Sequence, residues 1–115
     1  MPRVKLLTKA IEKKLPPLGA TEGKRLSEIQ VPLKIFNPYG RGTWYIWERD
    51  PETNLCFGCA DILEPELGYI DLNELINIQV GPVPGLYLER DRFWDGTVVD
   101  VGAACRLSWL KDETE

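Results

Sequence analysis

The sequence predicts an α+β domain: a small antiparallel β-sheet of about four strands packed by two short helices. Three observations carry this. Val31, Leu33 and Ile35 alternate with Pro32, Lys34 and Phe36, the period of a strand. Residues 42–49 and 55–63 are strand-like runs on either side of Asp50-Pro51-Glu52-Thr53-Asn54, a turn that returns the chain antiparallel. Helix signals stand at residues 8–15 and after Asp71. A chain of 115 residues that is 43% hydrophobic and 28% charged is one domain's worth and has enough apolar content to fold.

Thr8 is placed to cap the first helix, because its side-chain oxygen accepts an otherwise unpaired N–H of the first turn. Leu7, Ile11 and Leu15 form its apolar stripe, and Pro16-Pro17 stops it. Lys5, Lys9 and Lys13 form a second stripe, which reads as a solvated face or as a phosphate contact. Residues 18–30 read as a connecting loop. Gly23-Lys24 lacks the preceding glycine and the following Ser/Thr of a phosphate-binding loop. Pro32 marks the next strand as an edge or a strand start. Asn37-Pro38-Tyr39-Gly40 is a turn, and Glu64-Pro65-Glu66-Leu67-Gly68-Tyr69 is expected to break the strand before it.

Asp71 caps the second helix, with Glu74 completing a capping-box-like pair and Ile70 and Leu75 at staple positions. Leu86-Tyr87-Leu88 reads as a short strand. Residues 97–110 are expected to add a strand or to pack as a tail, with 111–115 loose. The domain is thus expected over 1–94, with 95–115 a partly packed C-terminal extension. No apolar signal core follows Met1, and no run reaches the roughly 18–20 residues of a membrane helix, so a cytoplasmic protein is expected.

Cys56, Cys59 and Cys105 are an odd set, expected as reduced thiols. Cys56-Phe57-Gly58-Cys59 matches the redox spacing, but it lies on a strand, where residues three apart face opposite ways. Buried structural thiols are the expectation. The chain has no histidine, which removes Ser-His-Asp and Cys-His catalysis and imidazole-ligated metals. Net charge is −4, divided unevenly: +5 over residues 1–25 and −9 over the rest. The acids concentrate in residues 48–74, which fits either a solvated surface or the docking of a charged partner. It also argues against nucleic acid as the main partner. Trp44 faces away from Tyr45 and Trp47 on their strand. One of these sets must build the core; the other is core as well by default, or else available as a protein-binding patch.

Several stretches together resemble a small bacterial family, domain of unknown function 2958. They are Leu6-Leu7-Thr8, Leu15-Pro16-Pro17-Leu18, Ala20-Thr21-Glu22, Thr43-Trp44-Tyr45 with Glu48, Phe57-Gly58, Glu66-Leu67-Gly68-Tyr69 with Leu72 and Leu75, and Leu88-Glu89-Arg90-Asp91 ahead of Phe93-Trp94. The resemblance covers about residues 4–94. It implies a passenger of plasmids, integrative elements or phages, found near antirestriction-type or DNA-processing genes, with no established activity to carry over. The matched residues Glu22, Trp44, Glu48, Glu66, Tyr69, Glu89, Arg90 and Asp91 are therefore candidates for a partner-binding surface.

The expected function is that of a non-catalytic protein-interaction module with an unidentified protein partner and no cofactor. Its sharpest form is anti-defence, the inhibition of a host nuclease or restriction system. Acidic mimicry of DNA ranks below plain partner binding, since −4 is a mild charge for a mimic. The alternative is a carboxylate-based, metal-dependent enzyme acting on nucleic acid or nucleotide. That reading requires Glu22, Glu48, Glu66 and Asp91 to converge on a hard cation. Each also has a simpler expected role: Glu48 ends a strand, Glu66 sits in a turn, and Glu89-Arg90-Asp91 pair locally.

Overall fold

A computed structural model describes residues 5–112. Helix α1 spans Lys9–Lys14, and the Thr8 side chain accepts from the Ile11 N–H at 3.2 Å. A 3₁₀ turn at Leu26–Glu28 leads into β1 (Gln30–Val31) and β2 (Leu33–Phe36). The long hairpin follows as β3 (Thr43–Arg49) and β4 (Leu55–Asp61), then β5 (Pro65–Asp71) and α2 (Leu72–Asn77). The chain ends through β6 (Glu89–Arg90), β7 (Gly96–Thr97) and α3 (Val98–Cys105).

The α+β class holds. All pairings are antiparallel, in a five-stranded sheet of order β5-β4-β3-β2-β6 and a two-stranded ribbon of β1 and β7. Pro32 divides what the sequence reads as one strand. Val31 pairs with Gly96 in the ribbon, whereas Leu33 pairs with Ile46 in the main sheet. Proline has no N–H to give a ladder, so the switch falls there.

The expected break at 64–69 is instead strand β5, in unbroken register with β4 from Leu55↔Asp71 to Asp61↔Pro65. Pro65 is tolerated because it is the first residue of an edge strand. The expected strand at 86–88 reduces to one bridge, Gln79↔Tyr87, and strand pairing moves to Glu89 and Arg90. Residues 97–110 are mainly helical. Thr97 and Asp100 cap α3 reciprocally, each side chain accepting from the other's backbone N–H. In α2, Asp71 caps by accepting from Asn73 at 3.0 Å.

Both faces of the sheet are covered. One carries Leu33, Ile35, Trp44 and Ile46 beneath Leu6, Leu15, Leu72 and Leu75. The other carries Tyr45, Trp47 and Cys59 beneath Val98, Val101, Cys105 and Leu110. Both aromatic sets of β3 are therefore core, as the default reading expects, and neither is a free patch. The last turn is held as well. Asp112 accepts from the Ser27 hydroxyl and from its N–H at 3.2 Å, so Lys111-Asp112 is tied to the fold rather than loose. Residues 113–115 lie outside the described region. No helix among the described residues is long and apolar enough to cross a membrane.

Candidate functional site

Strand β3 carries a bulge. Ile46 pairs with Gly58 and Glu48 pairs with Phe57, leaving Trp47 as the extra residue. Directly opposed residues share a face, so the bulge brings Glu48 to the face of Phe57, alongside Trp47. Without it, Glu48 would alternate to the other face. Gly58 makes the close approach possible, since a Cβ there would lie 1.8 Å from the Tyr45 carbonyl oxygen.

Glu48 is 5% exposed, and its carboxylate is fully engaged. Oε1 accepts from the Gly19 N–H at 2.8 Å, and Oε2 accepts from the Thr21 N–H at 3.1 Å and from the Thr21 hydroxyl. Such charge-assisted bonds offset the cost of burying the carboxylate. They also fold the loop 19–24 over the sheet. Gly19 adopts φ +86°, a left-handed conformation that favours glycine and turns the loop toward the carboxylate.

Beneath this loop lies an open cleft of about 300 Å³. Trp47, Phe57 and Tyr69 cross β3, β4 and β5 as an edge-to-face row, with ring centroids 5.8 and 5.6 Å apart. The row begins buried at Trp47 and ends at Tyr69, which is 69% exposed. Leu67 adds to the floor, while Glu22 and Lys24 stand at the mouth. The cleft offers an apolar, aromatic seat with charged groups at its rim, the usual make-up of a binding pocket.

Glu22, Glu48 and Tyr69 thus meet at one site, although they come from three separate stretches. The other candidates lie elsewhere. Trp44 is buried in the core of the opposite face. Glu66 is in a strand rather than a turn, and it alternates to the face opposite Tyr69. Glu89, Arg90 and Asp91 lie at the far edge of the sheet, where a second cleft of about 440 Å³ opens. Two of these charges are already used: Asp91 pairs with Lys34 at 3.3 Å and accepts from the Phe93 N–H, and Arg90 donates to the Lys5 carbonyl. The four carboxylates needed for a cation site do not converge. Among the described residues, no three His, Cys, Asp or Glu side chains are grouped to hold a metal ion.

The thiols are buried and unpaired. Cys56 packs on one face of the sheet and Cys59 on the other, as alternation requires. Burial pushes the Cys56 and Cys105 thiols up to about 12 and raises that of Cys59, which keeps them protonated and poorly nucleophilic. Burial likewise raises Tyr45 to about 12.

A family model described as a protein of unknown function, DUF2958, matches residues 6–101. The chain belongs to the DUF2958 family. The match runs past Trp94 into α3, as far as Val101, one of the residues that cover the second face. No curated protein and no solved structure matches the chain. Phe57 and Leu67 are cleft residues outside the eight candidates, and Trp47 joins them from the aromatic set of β3. The DUF2958 stretches Ala20-Thr21-Glu22, Phe57-Gly58 and Glu66-Leu67-Gly68-Tyr69, with Glu48, were the signal that could have located the cleft.

Proposed function

We propose that this chain is a non-catalytic protein-interaction module and that the Trp47–Phe57–Tyr69 cleft is where its partner docks. The observation that carries the reading is the convergence of loop 19–24, Glu48 and the aromatic row around one open, apolar site. Exposed aromatic side chains on a rigid base are the usual anchors of protein interfaces. Support for the non-catalytic part comes from the lack of histidine and from thiols held protonated by burial. In its sharper form the partner is a host nuclease or restriction protein, blocked by a chain that a mobile element carries. That form rests on the setting expected for the family.

A tagged chain, incubated with nuclease-treated bacterial lysate, is expected to retain a stoichiometric protein that Tyr69→Ala releases. Capture that survives only without nuclease, or that Tyr69→Ala leaves unchanged, would contradict the proposal.

A further inference from the structure

The two edges of the sheet are built differently. β6 has two residues, the shortness by which natural proteins commonly blunt an edge. β5 has seven, with no lysine, no proline after its first residue, and unbroken register along its inner side. It is paired on one side only. The outward N–H and C=O groups of such a strand are a template for one more strand.

Its side chains describe the guest. Leu67 and Tyr69 face the aromatic cleft, while Glu66 and Gly68 alternate to the other face. A Cβ added at Gly68 would meet nothing within 4 Å, so that face is open beside the strand. Acids outnumber bases around the edge: Asp61, Glu64, Glu66 and Asp71 along β4–β5 and Glu22 at the cleft mouth, against Lys24 beside it. Two copies meeting edge to edge would bring these acids together, which opposes self-pairing and favours a basic guest.

We infer that β5 takes up an extended, basic segment of the partner protein by strand addition. One apolar side chain of the segment sits beside Tyr69, and lysine or arginine side chains lie on the Glu66 side. The inference rests on the reading of the cleft as the docking site, and adds the backbone geometry and charge of what docks.

The test is fluorescence anisotropy of the full chain with a labelled seven-residue peptide alternating lysine and valine. This peptide is expected to bind roughly tenfold tighter than its glutamate–valine counterpart at low salt. N-methylation of alternate amides is expected to abolish binding, and Glu66→Lys, at an exposed position, to reverse the preference. Equal binding of both peptides, binding indifferent to N-methylation, or no binding at millimolar peptide would overturn the inference. So would a concentration-dependent dimer in sedimentation that Tyr69→Asp dissociates. If Tyr69→Ala abolishes lysate capture but Glu66→Lys leaves it intact, strand addition of a basic segment fails while the cleft reading stands. If Tyr69→Ala has no effect on capture, the cleft reading itself fails.

Discussion

Glu48 and Thr21, 27 positions apart, are joined by two hydrogen bonds: one carboxylate oxygen accepts both the Thr21 N–H, at 3.1 Å, and its hydroxyl. With the Gly19 N–H on the other oxygen, this pairing holds the cleft's outer wall to its floor. Glu48→Ala removes all three bonds and strands buried donors, so it should cost about 3 kcal/mol. Glu48→Gln keeps an acceptor oxygen and should cost less. Urea unfolding of both variants measures the difference. A cost below about 1 kcal/mol for Glu48→Ala would mean that the loop does not depend on this contact.

Gly58 and Gly68 face each other across β4 and β5, yet alanine should affect them very differently. At Gly58 the new Cβ would lie 1.8 Å from a backbone oxygen, and the bulged strand must shift. A loss above about 3 kcal/mol is expected there. At Gly68 the space is empty, and the change should stay within about 0.5 kcal/mol. Denaturant midpoints of the two variants test the pair together.

The three thiols should resist alkylation in the folded chain. Their burial and raised pKa values leave almost no thiolate at pH 8. Mass spectrometry after iodoacetamide is expected to show no adduct until denaturant unfolds the chain, and three afterwards. Rapid native modification of any one would contradict the packing of that face.

Asp112 ties the last described residue to Ser27. The Ser27 hydroxyl, followed by its N–H, holds the Asp112 carboxyl below the usual aspartate range. The folded pKa is depressed, so the folded chain binds fewer protons. The contribution to stability is present above the unfolded value near ~4 and is lost as pH falls through the folded one. Asp112→Asn should therefore flatten the acid limb of stability against pH and leave its shape above pH 5 unchanged. Thermal melts from pH 2.5 to 7 test this, with Asp50, also depressed, contributing to the slope that remains.

Local signals were legible where one element decides its own shape. Thr8 and Asp71 cap as their residue types demand, the 50–54 turn closes its hairpin, and Cys56 and Cys59 part to opposite faces as alternation requires. What escaped depends on partners distant in sequence. Nothing near Pro65 shows that β4 is free to pair there, and only the edge position makes the proline tolerable. The Thr97–Asp100 capping box was visible in Thr97-Val98-Val99-Asp100, but the β-branched pair Val98-Val99 argues for strand until the box is weighed. The bulge at Trp47 carries no local signature, since neither glycine nor proline marks it, so the turn of Glu48 toward the cleft could not be read from alternation.

The most direct measurement is hydrogen exchange of the chain alone and with a protein captured from nuclease-treated lysate. Docking at the cleft and β5 requires slowed exchange in residues 19–24 and along Pro65–Asp71, with little change at Glu89–Arg90. Protection confined to Glu89–Arg90 and the neighbouring Asp91, with the cleft and β5 unaffected, would place the partner on the other edge and contradict it.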